Sequence, residues 1–372
     1  MALPLTPQPA RNLALDVMRG LTLALMIVVN TPGGTSSYGP LEHALWHGYT
    51  VTDLVFPSFL FVVGGALFLS MKKFAGRDDG YFLYTVFRRG ALIFLCGYLL
   101  YWFPFVTPEW TIAPFSGTRV MGVLQRIGLC YLVAALIVRY GGLRGAAVFS
   151  VAALLGYWWI LHRFGDYTLQ GNAVLKLDLA LLGEAHIYRG EGVPFDPEGI
   201  LSTLPAIVNV LAGYAAAMWL QRQGRHARGV LALLAAGAVC LLLAWGWDQV
   251  LPINKKLWTS SFVLCTVGWD LLVLAALVWA IDIAAMRVGP GVYFFEVFGK
   301  NTLFIYLLAD VLVIVLARLQ VNGEMLYRWL YQALFASWAA PRPASLLFAL
   351  AYMLACWLVA YWMDRRRIYI KL

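Results

Sequence analysis

The chain is 372 residues long, 62% hydrophobic and only 13% charged, with a formal net charge of +9 and a mean hydropathy of +0.74. A soluble protein carries about twice that charged fraction, and the apolar runs are continuous where a membrane barrel would alternate. The composition therefore predicts an all-α polytopic membrane protein, whose positive balance follows topology and not nucleic-acid binding.

The first apolar run, 13–30, carries Asp16 and Arg19 three residues apart. They are close enough along a helix to pair, and too polar for the core of a cleavable signal. Asn30 closes this run. The connection after it, NTPGGTSSYGPLEHALWHGYTVTD (30–53), is polar and glycine-rich, with His43 in its middle and His47 four residues on. A second run, 50–71, opens on Asp53, where a carboxylate suits a helix N-terminus. Pro57 predicts a bend in that helix and space beside the carboxylate. Runs at 86–104 and 120–139 follow, the latter with Gln125 and Arg126 inside it. After 145–163 comes the longest loop, 162–199, which mixes charge with Gly and Pro and reads as a lid or rim. Runs at 200–220 and 229–250 lead to Lys255, Lys256 and Trp258, at the start of the run 258–280 that holds Asp270. The stretch 292–300 reads as interfacial, and 301–318 opens on Asn301 and contains Asp310. An aromatic amphipathic segment, 324–338, precedes the last run, 344–363, and the triplet Arg365, Arg366, Arg367.

Ten spans put both termini on one side. Alternate connections carry seventeen Lys and Arg on that side and nine on the other, although the poorer side has the longer loops. The bias places both termini in the cytoplasm and His43 outside. The whole chain, 1–372, reads as one transmembrane domain. Its five cysteines all lie within apolar stretches without CxxC spacing, as packing residues and not as a disulfide framework or a metal site. Polar groups at membrane depth cannot face lipid; they pair off or line a shared cavity. No P-loop, GxSxG or zinc spacing is present. The residues alone leave two classes open: an enzyme using His43, or a proton-coupled transporter using Asp53, Asp270 and Asp310.

Six strings narrow the choice: RGLTLALMIVVNTPGG, LEHALWHGYTVTDLVFPSFLFVVGGALFLS, GVLQRIGLCYL, FDPEGILSTLPAI, PINKKLWTSSFVL and GKNTLFIYLLAD. In this order, over essentially the whole chain, they resemble the heparan-α-glucosaminide N-acetyltransferase family. The resemblance is closest to its shorter bacterial, NagX-like members, which lack a large luminal N-terminal domain. It implies transfer of acetyl from cytosolic acetyl-CoA to a glucosamine amine on the far side of a bacterial inner membrane, without a metal, by a homodimer. It also places the family's active histidine on His43, its upstream asparagine on Asn30 and its aspartate on Asp53. His47 departs from the pattern, standing where the lysosomal enzyme has an amide side chain.

The residues suit such chemistry. Acyl transfer to an amine needs a proton acceptor or nucleophile (His43), a group that orients it (Asp53) and a donor to the carbonyl oxygen (Asn30). Arg19 and Arg126 suit the phosphates of CoA, with Lys300, Asn301, Arg366 and Lys371 at the inner mouth. His47, Lys255 and Trp258 are the expected sugar contacts, Trp258 by stacking. O-acylation of a surface polysaccharide would use the same donor and the same histidine.

Overall fold

The structure, a computed structural model, describes residues 12–107, 111–223, 226–284 and 289–370. It is all-α and polytopic. Among the described residues nine helices are long and apolar enough to cross a membrane: α1 (Leu13–Asn30), α2 (Val51–Met71), α3 (Asp79–Trp102), α4 (Val123–Tyr140), α5 (Gly142–Phe164), α7 (Ile200–Gln223), α8 (Ala227–Asp248), α9 (Ser260–Val278) and α13 (Pro341–Arg365). A bent pair adds to these: α10 (Pro290–Lys300) and α11 (Thr302–Arg318), apolar enough to cross together, meet at Asn301 with an 81° bend, as in a broken span or a re-entrant loop. The long loop is not bare, because Asn172 caps a ten-residue helix within it, α6 (Ala173–Leu182), by accepting from the Leu175 amide at 2.7 Å. The aromatic segment near 324–338 forms a small hairpin and the short helix α12 (Leu326–Tyr331), which is too short to cross.

Local chemistry sets the boundaries. Helix α3 starts at Asp79, seven residues before the apolar run at 86, because the Asp78 carboxylate accepts from the Tyr81 amide at 3.0 Å and caps it. Helix α2 runs unbroken through Pro57. The stretch expected at the interface, 292–300, falls within α10, which packs against α1 and α13.

Small residues let the helices that carry the site approach closely. Helices α2 and α7 cross with Gly64 and Gly213 at the contact. A Cβ on Gly64 would lie 1.8 Å from the Val210 carbonyl oxygen, and one on Gly213 1.8 Å from that of Phe61. Helix α1 meets α10 in the same way at Gly20 and Gly299.

The bundle has two polar ends. At one, the start of α1 and the end of α13 come together: Arg19 Nη1 donates to Asp16 (3.0 Å) and to the Gly299 carbonyl (3.2 Å), and Lys300 Nζ binds Asp364 (3.0 Å). At the other lie the start of α2, the loop containing His43, and the turns before α7 and α9. These are called here the tail end and the histidine end.

Candidate active site at the histidine end

The site is built on the first turn of α2. Asp53 is its third residue, and its Oδ2 accepts from the Thr50 amide (3.0 Å), the Thr50 hydroxyl (3.2 Å) and the Ala44 amide (3.0 Å). This reciprocal cap satisfies helix donors that would otherwise be orphaned, and the positive helix end favours the carboxylate. The other oxygen, Oδ1, faces His43 Nδ1 at 2.7 Å. Asp53 is 1% exposed, whereas the His43 side chain is 46% exposed. A buried carboxylate thus holds one nitrogen of an imidazole whose other nitrogen, Nε2, is turned away from it.

Lys255 completes the group from the turn before α9. Its Nζ lies 3.0 Å from His43 Nδ1, 3.4 Å from Nε2 and 3.6 Å from Asp53 Oδ1. The turn is tied down on several sides. The Gly48 amide donates to the Ile253 carbonyl (2.7 Å), the Asn254 side chain accepts from the Leu257 amide (2.8 Å), and Tyr157 donates to the Leu257 carbonyl (2.5 Å). Lys256 binds Glu191 (2.5 Å) and the Leu45 carbonyl (3.0 Å), joining the long loop to the His43 loop. Burial lowers the pKa of Lys255, and the charges of Glu198 and Asp53 partly restore it. His47 meets Asn254 Nδ2 at 3.3 Å rather than joining His43; burial pushes its pKa down, offset in part by Asp248.

A second ionic cluster adjoins this one. The Arg119 guanidinium forks onto Asp196 (2.8 and 2.6 Å), reaches Glu198 (2.6 Å) and lies against the rings of Tyr101 and Tyr188. Burial opposes its charge, but the two carboxylates outweigh that and raise its pKa. Burial likewise opposes charge on Glu198, yet Arg119, Arg126 and Lys255 hold its pKa down. Arg119 is not among the site residues expected from the sequence. The signal was the charged pair in FDPEG, which demands a cation.

Several expected contacts are placed otherwise. Trp258 is fully buried; its left-handed backbone (φ 53°) turns the indole inward, where its N–H donates to Asn209 (3.2 Å) and its ring lies 4.7 Å from the Arg126 guanidinium. It packs the core and offers no face to a sugar. Arg126 is equally buried and sits at the histidine end, donating to the carbonyls of Pro197 (3.0 Å) and Gly199 (3.2 Å) and to the Ser202 hydroxyl. It therefore shares no phosphate site with Lys300. Asn30, the last residue of α1, is exposed, and among the described residues no hydrogen bond joins it to His43 or Asp53.

At the tail end the expected cofactor contacts are engaged within the protein. Lys300 holds Glu296 (3.1 Å) as well as Asp364, and Arg19 is bound as described above. The Asn301 amide donates to the Ile368 carbonyl (2.9 Å) and accepts from the Ile370 amide (3.0 Å). Arg366 follows α13 on the surface, and Lys371 lies outside the described residues.

The chain is 28% identical over 361 residues to the heparan-alpha-glucosaminide N-acetyltransferase of Homo sapiens, covering 81% of this chain and 53% of that protein. The enzyme of the same name from Mus musculus is 28% identical over 356 residues, 80% of this chain and 53% of its own length. The chain thus spans about half the length of the curated relatives it matches. The model of the family described as "Heparan-alpha-glucosaminide N-acetyltransferase, catalytic" matches residues 11–253, the segment holding His43, Asp53, Arg119 and Arg126. On that match, over more than half of its length, the chain belongs to the heparan-alpha-glucosaminide N-acetyltransferase catalytic family.

Proposed function

We propose that this protein is a transmembrane N-acetyltransferase that passes acetyl from acetyl-CoA to the amine of glucosamine or of a glucosamine-ended saccharide. The observation that carries the reading is the His43–Asp53 pair, 2.7 Å apart and set in the family's matched segment. With Nδ1–H given to Asp53, the lone pair is on Nε2, with Lys255 Nζ 3.4 Å from that nitrogen. It takes the proton of the incoming ammonium, or it attacks the thioester first and briefly carries the acetyl group. In the direct route the amine lone pair forms the C–N bond as the C–S bond breaks; of the two protons the nitrogen gives up, one passes through His43 to the thiolate and the other goes to solvent. In the covalent route the C–S bond breaks as Nε2 bonds the acetyl carbon and the thiolate leaves; the deprotonated amine then attacks, the C–Nε2 bond breaks, and the freed imidazole takes the second N–H proton. Asn30 supplies an amide donor near the water edge.

The cation bias supports a cytoplasmic tail end, with both termini, and an outward His43; the family resemblance supports a bacterial inner membrane. Acetyl-CoA approaches from the tail end. Its phosphates exchange for the carboxylates that Lys300 and Arg19 hold, with Arg366, exposed just after α13, as a further cation. The pantetheine arm runs between helices, so neither substrate crosses completely. The family resemblance supports a homodimer.

Purified protein given labelled acetyl-CoA should acetylate glucosamine and leave glucose and N-acetylglucosamine unmodified. An amine has a usable unprotonated fraction near neutral pH, whereas a hydroxyl needs stronger activation. Equal labelling of N-acetylglucosamine would assign a hydroxyl acceptor, and flux of unmodified sugar without acetyl transfer would assign a transporter. A cysteine at Ser37 should be labelled in intact cells; labelling only after permeabilisation would reverse the orientation.

A further inference from the structure

One cation stands inside the site itself. Lys255 Nζ is within 3.4 Å of both ring nitrogens of His43, and its side chain is only 15% exposed. A surface ion pair with Asp53 would need neither feature. Since Asp53 occupies Nδ1, chemistry takes place at Nε2. The carbonyl oxygen of an acetyl group attacked at, or carried on, Nε2 is one bond from the reacting carbon, and so within hydrogen-bond reach of Nζ. The ties from Gly48, Asn254 and Tyr157 fix the lysine's backbone, so the donor is held in place before the reaction begins.

We propose that Lys255 is a catalytic residue whose ammonium donates a hydrogen bond to the acetyl carbonyl oxygen as the tetrahedral centre forms. The inference rests on the acetyl-transfer reading. As the new bond to carbon forms, the carbonyl π pair moves onto oxygen and is held there by Lys255, which keeps its proton. The pair returns as the bond to sulfur, or to Nε2, breaks. The charged and titratable groups facing Nζ are Asp53 from α2, His43 from the loop before it, Glu198 from the turn before α7, and Lys256 beside it in the chain. Asp53 and Glu198 balance the ammonium. Burial works against it, so its proton is lost at lower pH than that of an ordinary lysine.

The test compares wild type, His43→Ala, Lys255→Gln and Lys255→Arg in detergent, with acetyl-CoA and glucosamine. Lys255→Gln should lower kcat about 10²- to 10³-fold, the usual loss for one such donor, while KM for both substrates stays within about 3-fold. Lys255→Arg should recover part of kcat. It should also move the alkaline fall of kcat upward, because guanidinium does not titrate there. A purely structural lysine would not shift that limb. A kcat for Lys255→Gln within about 2-fold of wild type, or a loss confined to KM, would overturn the proposal. If Lys255→Gln does not fold, the alkaline limb of Lys255→Arg decides, and an unmoved limb rejects the role. An active wild type with an inactive His43→Ala and an unaffected Lys255→Gln would remove this proposal alone. A wild type that transfers no acetyl would remove the acetyl-transfer reading and the proposal together.

Discussion

The two polar ends of the bundle use the same residue types to opposite effect. At the tail end the charges around the α10–α11 bend are paired off: Arg19 with Asp16, Lys300 with Glu296 and Asp364, and both faces of the Asn301 amide with the backbone near Ile368. At the histidine end Asp53, Lys255, Glu198 and Arg119 also balance one another, but the set includes a half-exposed imidazole whose second nitrogen faces no carboxylate. Charges in a membrane protein that satisfy one another make a strut. A balanced set with one open valence makes a site.

The largest expected effect is at that valence. His43→Ala should abolish acetyl transfer, a loss of at least about 10³-fold, while acetyl-CoA still binds, as read by calorimetry. Near-normal turnover would move the chemistry to His47. Asp53→Asn comes next. It keeps an acceptor for the helix cap but loses the charge that orients the ring and stabilises its protonated form, so kcat should fall by about 10²-fold or more, by analogy with other orienting carboxylates. A variant that instead loses only thermal stability would make Asp53 a cap and nothing else.

A smaller effect is expected at Asp178 of α6. It is buried, with Oδ1 accepting from the Ile200 amide (3.0 Å) and Oδ2 without a hydrogen-bond partner among the described residues. Burial, with the nearby Asp196 charge, pushes its carboxyl up to about 7 despite the helix amides and Arg126. An unfolded carboxyl titrates near 3.8, so the folded state holds the extra proton. That contribution to stability is complete below 3.8 and is lost as pH rises through about 7. Asp178→Asn removes the titration. Its melting temperature should match or trail wild type in acid and exceed it by on the order of a few °C at alkaline pH. Parallel melting curves across pH would refute the assignment. The smallest effect is at the strut: Asn301→Ala should cost about 1 kcal/mol and speed amide exchange at Ile370. Unchanged exchange would show that other contacts hold the 366–370 segment.

Much of this was legible in the chain. The ten apolar runs correspond to nine long helices and one broken pair, because twenty or so apolar residues have few other fates. His43 and Asp53 stand out as polar residues flanking a helix start, and Asp16 pairs with Arg19 as an i, i+3 spacing requires. Long-range partners were not legible. Arg119 meets Asp196 across 77 positions of sequence, and Lys255 meets His43 across 212. Trp258 misled because an aromatic at a span's outer edge reads as an open face for a sugar to stack on. Only the left-handed backbone at that residue, invisible in its letter, turns it into the core. Lys300 and Asn301 looked like open ligands because Asp364, Ile368 and Ile370, which engage them, come from the far end of the chain, although Glu296 stands only four residues before Lys300.

The glycine crossing of α2 and α7 bears on where the protein can work. Lipid bilayers differ in thickness, and single helices answer by tilting. Two helices whose backbones touch at Gly64 and Gly213 have no side-chain cushion between them, so they tilt as one body. Asp53 rides on the first, and the turn with Glu198 leads into the second. The spacing across the site is therefore insulated from membrane thickness and travels unchanged from one lipid setting to another.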